Sequence, residues 1–170
     1  NWHPDQENCV WVLTENDRLN PLISENTKEA LSLTNLERIV QDADENFLNP
    51  DLFGKEDRST WCYYFEKADL ARQFSNWDEV IQLYDEANNN GYEPVNGVEL
   101  MPFIEGYARL GKPEESLRLS LAAMEKTDNL SPYLCDNWKR FSHDLSADES
   151  VQAVYREFAK EYSCASFLDE

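Results

Sequence analysis

The sequence predicts an all-α protein, an antiparallel stack of helical hairpins fronted by a short strand or extended arm. Three observations point there. Apolar residues recur three and four positions apart along most of the 170-residue chain. Gly and Pro are scarce, five and seven, which disfavours a sandwich or barrel of short strands. Helix-start and helix-stop signals alternate at short spacing, and short connections make neighbouring helices antiparallel.

Residues 1–21 differ from the rest. Cys9-Val10-Trp11-Val12-Leu13 is a β-branched apolar run between polar stretches, expected as a strand or an extended arm, and Asn20-Pro21 marks a turn. The helical domain is expected over 22–170. Its N-terminal hairpin, 22–48, has a weaker helix over about 22–33. A second helix follows the capping box Thr34-x-x-Glu37, with Leu36, Ile39, Val40, Ala43 and Phe47 on one face. Asn49-Pro50 closes it, and 49–58 reads as a loop.

The next hairpin spans 59–90. Its first helix aligns Trp61, Tyr64, Phe65, Ala68 and Ala71. Asn76-x-x-Glu79 opens the second, which aligns Trp77, Val80, Ile81, Tyr84 and Ala87, and Gly91 suits a left-handed cap. Another hairpin spans 97–127. Val98, Met101, Ile104, Tyr107 and Ala108 share a face, Gly111 breaks the helix, and Pro113 takes the first position of the following one. Glu114 and Glu115 lie at that helix's positive end. The C-terminal hairpin, 131–163, opens at Ser131-Pro132 with Leu134, Trp138, Phe141 and Leu145 in register. The capping box Ser146-x-x-Glu149 then leads into the stripe Val151, Val154, Tyr155, Phe158, Ala159 and Tyr162.

Composition narrows the function. Hydrophobic residues make up 41%, enough for a core, which excludes a disordered chain. The net charge of −19 repels phosphate backbones and anionic headgroups, so neither nucleic acid nor direct membrane binding is expected. The acid serves solubility, or presents an acidic surface to a basic partner. No apolar run reaches the length of a membrane span. The start Asn1-Trp2-His3-Pro4, without initiator Met or signal-peptide pattern, is expected of a piece of a longer protein. Cys9, Cys62, Cys135 and Cys164 form no C-x-x-C pair. An even count permits disulfides without requiring them, and Cys62 and Cys135, among apolar neighbours, read as small buried hydrophobes.

Catalytic signals are missing. The histidines His3 and His143 form no zinc-ligand motif, and His143 reads as a helix C-terminal cap. No nucleophile elbow or phosphate-cradling loop occurs. Asp42-x-Asp44-x-Asn46 starts like a calcium loop, but Phe47 and Phe53 stand where Gly and Glu are needed. No enzyme activity, cofactor or metal is expected.

At an offset of 36 residues the chain repeats itself: Ala68 falls on Ile104, Ala71 on Tyr107, Ser75 on Gly111, Glu79 on Glu115 and Ala87 on Ala123. Trp61, Tyr64, Ala68 and Ala71, the turn before Trp77, then Val80, Tyr84 and Ala87 resemble a tetratricopeptide (TPR) repeat, and 97–126 resembles a second copy through Tyr107, Gly111 and Ala123. Lys67, Pro113, Ser116 and Ser120 depart from that pattern, standing where it wants apolar or aromatic residues. The resemblance implies a curved stack whose inner face carries Phe65, Asp69 and Arg72 from one copy and Met101, Glu105 and Arg109 from the next. Arg72 and Arg109 are then candidates to grip a carboxylate of a peptide or neighbouring domain, or to pair with Asp69 and Glu105 within their own helices. The phrases Cys9-Val-Trp-Val-Leu-Thr14, Leu33-Thr-Asn-Leu-Glu-Arg-Ile39 and Trp61-Cys-Tyr-Tyr64 also resemble the soluble C-terminal region of bacterial multi-pass membrane proteins similar to dolichyl-phosphate-mannose-type glycosyltransferases. That likeness implies a non-catalytic protein-interaction or assembly module on the extracytoplasmic face of a membrane, its partner a protein or peptide, the parent's own membrane domain included. The alternatives are a cytoplasmic adaptor and an accessory domain of a glycosyltransferase or carbohydrate-processing enzyme.

Overall fold

The structure, a computed structural model, describes residues 9–40 and 57–168. The fold is all-α. Among the described residues there is no strand, and 9–14 runs as an extended arm.

The segment after the arm differs from expectation. In place of a helix over 22–33 there is one short helix, α1 (Glu25–Glu29), capped by Ser24 and burying none of its residues. A 3-10 turn, Leu31–Leu33, follows it. Thr34 opens no long helix. Asn35 caps a 3-10 turn, Leu36–Arg38, that buries no side chain, Ile39 is extended, and the Thr34 hydroxyl donates to the Leu13 carbonyl at 2.7 Å. Ala43, Phe47 and the Asp42–Asn46 run lie outside the described residues.

The rest is a stack of hairpins: α2 (Trp61–Gln73) with α3 (Trp77–Asn89), α4 (Met101–Arg109) with α5 (Pro113–Lys126), and α6 (Ser131–Asp144) with α7 (Glu149–Glu161). Helices α2, α4 and α6 form one layer, α4 in the middle. Helices α3, α5 and α7 form the other, with α3 reaching α4 and α5 reaching α7. A short helix α8 (Ala165–Leu168) returns to α6. Thr60 caps α2, its hydroxyl taking the Tyr63 N–H at 3.3 Å, and Pro113 holds the first position of α5 as the sequence predicts. At α7 the cap is Asp148, which accepts from Ser150 and Val151, and not Ser146.

The helix ends share one device. After α2, α3, α4 and α7 the residue past the cap has positive φ: Ser75 (60°), Gly91 (75°), Gly111 (67°) and Ser163 (52°). In each case the next N–H reaches back to the third carbonyl from the helix end, on Ala71, Ala87, Tyr107 and Ala159. This pairs carbonyls that the helix would otherwise leave without partners.

The core lies between the two layers. Ala68, Ala87, Ala108 and Ala123 are fully buried, and small side chains there let helices approach closely. Tyr84 packs on Phe103 and Tyr107, and Trp138 on Phe141 and Phe158, with ring centroids 4.8–6.2 Å apart. Each fully buried Phe or Leu contributes about 1.5–3 kcal/mol. Gly97, in the 3-10 turn Gly97–Leu100 that leads into α4, is pressed on α5, where a Cβ would stand 2.0 Å from the Ala123 carbonyl oxygen.

The two serines that stand at 116 and 120, where apolar or aromatic residues were expected, have a physical reason. Ser116 and Ser120 are fully buried and hydrogen-bonded. Ser116 donates to the Ile104 carbonyl at 2.7 Å, Ser120 to the Ser116 carbonyl at 2.9 Å, and the Trp138 indole N–H donates to Ser120 at 3.0 Å. A bulkier residue at 120 would displace the Trp138 ring and orphan its N–H.

Two disulfides staple the ends, Cys9–Cys62 across 53 residues and Cys135–Cys164 across 29. Cys62 and Cys135 are therefore cross-links and not merely small buried hydrophobes. No helix among the described residues is long and apolar enough to cross a membrane.

Candidate functional site

The inner layer presents one motif three times. On α2 the face carries Phe65, Asp69 and Arg72. On α4 it carries Met101, Glu105 and Arg109, and on α6 it carries Tyr133, Asn137 and Arg140. Residues three and four apart share a helix face, so each helix aligns an acid or amide with an arginine one turn later. Asn137-x-x-Arg140 repeats the spacing of Asp69-x-x-Arg72 and was the available signal for the third arginine, which sequence reasoning left out.

These side chains meet around Glu105, which is 4% exposed. Its Oε1 lies 3.0 Å from Arg109 Nη2 and 3.1 Å from Arg140 Nη1, and its Oε2 lies 3.5 Å from Arg72 Nη1. Arg72 also holds Asp69 Oδ1 through Nε at 2.9 Å and Nη2 at 2.7 Å. Arg109 reaches Asp144 at 2.6 Å and lies over the Trp77 ring, 5.6 Å from its centroid. Arg140 also donates to Asn137 Oδ1 at 2.5 Å. Both proposed pairings inside single helices therefore exist, and the arginines also tie α2, α4 and α6 together.

The electrostatics follow. Burial pushes the Glu105 carboxyl up, but Arg140, Arg72 and Arg109 outweigh it and hold its pKa below the usual value. Burial works against the Arg72 guanidinium, yet Asp69 and Glu105 raise its pKa. The hydrogen bond from Arg109 lowers Asp144. Taking these charges from water is costly, and their pairing offsets that cost only while every partner is present.

The groove is not open. The arm lies across it. Trp11, Val12, Leu13, Asp17 and Asn20 face Phe65, Asp69, Arg72, Val98, Met101, Pro102 and Tyr133 around a cavity of about 20 Å³, room for one water. The Trp11 indole N–H and the Asn20 amide N–H are buried without a hydrogen-bond partner among the described residues. Asp17, 8% exposed, is the arm's anchor: its Oδ1 accepts the Tyr133 hydroxyl at 2.5 Å. Its Oδ2 takes the Thr14 N–H at 2.7 Å, which closes the capping box of the 3-10 turn Glu15–Asp17. Burial and then the Asp17 charge raise the Tyr133 pKa well above its ordinary value, so the phenol stays a donor. Farther up the arm, the Val10 N–H donates to Glu66 at 2.9 Å beside the Cys9–Cys62 bond. Phe65, Asp69, Arg72 and Met101 thus lie under the arm, and Glu105 and Arg109 lie beside α6.

His143 stands in the last turn of α6, exposed, with Nδ1 3.4 Å from Asp144. Among the described residues no group of three His, Cys, Asp or Glu is placed to hold a metal. The arrangement can clamp a carboxylate-bearing extended segment between an aromatic hydroxyl, an arginine and an apolar shelf. No protein-family model, curated protein or solved structure matches this chain.

Proposed function

We propose that this chain is a non-catalytic protein-interaction or assembly module of a larger protein, a TPR-like stack held on the extracytoplasmic face of a bacterial membrane. The observation that carries the reading is the pair of disulfides, which fix the arm to α2 and the segment after α7 to α6. Such cross-links form and persist in oxidising compartments. The charged groups of the inner face support the non-catalytic part, because their carboxylates are paired with its arginines and Tyr133 is taken up by the arm. A chain with 34 acids against 15 Lys and Arg, most of the acids outside the core, suits a partner with a basic face, here the parent protein's own membrane domain.

Two measurements test it together. In its native cells the chain is expected to show no maleimide-reactive thiol before reduction and four after. The oxidised chain added to the parent's solubilised membrane portion is expected to bind, more weakly as salt rises. Four free thiols in cells, or no association at low salt, would sink the proposal.

A further inference from the structure

We propose that the inner face of α2, α4 and α6 is a binding site for an apolar segment that ends in a seated carboxylate, filled in cis by residues 11–20 under the Cys9–Cys62 latch, and that opening the latch lets the arm of a second copy take that place. The proposal rests on the interaction-module reading and names its site and its partner.

The occupant's chemistry is visible in the cis complex. An aromatic-led apolar run, Trp11 to Leu13, faces Phe65 and Met101, and the Asp17 carboxylate follows, seated on Tyr133 with Arg72 lining the same cavity. A second copy carries that same arm, so it fits without new complementarity, and exchange of an identical element is a low-cost route to a dimer.

The two disulfides differ in access. Cys135 and Cys164 are buried to 0% and 1% exposure. Cys62 is only half-buried and borders an open surface hollow of about 370 Å³, lined also by Asp57, Tyr63, Glu66 and Leu70. A dithiol reaches the latch there. One of its thiolates attacks a sulfur of the Cys9–Cys62 bond, forming a mixed disulfide and releasing one protein thiolate. The second thiol of the reagent then displaces the other. The protein gains two electrons and two protons, and the dithiol leaves as its cyclic disulfide. The arm is then held by the Asp17 and Val10 hydrogen bonds, by those of Cys9 with Glu99 and Leu13 with Thr34, and by its apolar contacts.

The test uses the full chain. Cys9→Ser and Cys62→Ser variants are each unable to close the latch in cis. Mixed and oxidised, they are expected to give a covalent heterodimer joined Cys9 to Cys62, at least tenfold above either homodimer. Asp17→Ala in the copy that donates the arm is expected to cut the yield at least fivefold. A heterodimer no more abundant than the homodimers, or indifferent to Asp17, overturns the proposal. Should either variant fail to fold, hydrogen exchange on the wild-type chain decides. With dithiol, residues 10–20 are expected to lose protection in dilute protein and to regain it as protein concentration rises, while α2 to α7 stay protected, and arm protection that does not depend on concentration overturns it. Neither readout involves the membrane domain, so failure here is separate from failure of the proposed function.

Discussion

Thr14 and Thr60 each open a helical turn with a side-chain cap, yet the turn after Thr14 stops at three residues and the helix after Thr60 runs for thirteen. What differs is the face that follows. From Trp61 onward the apolar positions meet α3 and α4, and Trp61, Tyr64, Phe65, Ala68 and Ala71 are buried. Between residues 9 and 40 only Cys9, Asp17, Asn20 and Leu31 are buried, and two of those are polar. A cap supplies about 1 kcal/mol and starts a helix; packing of a continuous face sustains it. The arm region is held at points and the stack along surfaces, and the two should respond differently to substitution.

The largest effect is expected at Glu105, where the three helices of the inner layer meet. Glu105→Gln keeps the shape and removes the charge that three arginines share, which should cost about 3–5 kcal/mol in urea denaturation at neutral pH. The folded pKa of Glu105 is lowered, so its contribution is complete above the ordinary carboxyl value of 4.5 and is lost as pH falls through the lowered folded value. The wild type should therefore converge on the variant in acid. A constant gap from neutral pH to pH 3 would show that packing, not charge, holds the site.

Breaking the staples separates the regions next. Loss of either disulfide should cost about 2–4 kcal/mol. With Cys9→Ser and Cys62→Ser, exchange protection should fall in the arm and remain in α4 to α7. With Cys135→Ser and Cys164→Ser it should fall across α6 and α7. Equal loss everywhere in both cases would erase the distinction drawn between points and surfaces. Inside the first region, Leu31 is 3% exposed and Leu33 is 80% exposed. Leu31→Ala should cost about 2–3 kcal/mol and Leu33→Ala less than about 0.5.

The same contrast explains what was legible in the sequence. The stack was legible because its helices carry long periodic faces, and the stripe from Val151 to Phe158 needs no tertiary knowledge to find. The region at 22–40 was misread because Thr34-x-x-Glu37 and Leu36-x-x-Ile39-Val40 imitate a helix start, while nothing local reveals that Leu36 and Val40 stay exposed. Of the site, Asp69, Arg72, Glu105 and Arg109 followed from the repeat. Arg140 was one alignment away. Asp17 was out of reach, since its partner Tyr133 lies 116 residues along the chain and only the folded arm brings them together.

The smallest effect compares the two repeats. Ser75 and Gly111 hold equivalent turns, with φ of 60° and 67° and the same backward hydrogen bonds, to Ala71 and Tyr107. For an L-residue the left-handed conformation costs about 1–2 kcal/mol, whereas glycine adopts it freely and loses some of that advantage through its greater unfolded-state freedom. Ser75 is exposed and its hydroxyl has no role in the turn's backbone bonds. Ser75→Gly should therefore stabilise the chain by about 0.5–1 kcal/mol, read as a higher denaturation midpoint with an unchanged slope. A lower midpoint would mean that the serine side chain contributes to the first hairpin in a way its twin at Gly111 does not require. The repeats would then be alike in backbone only.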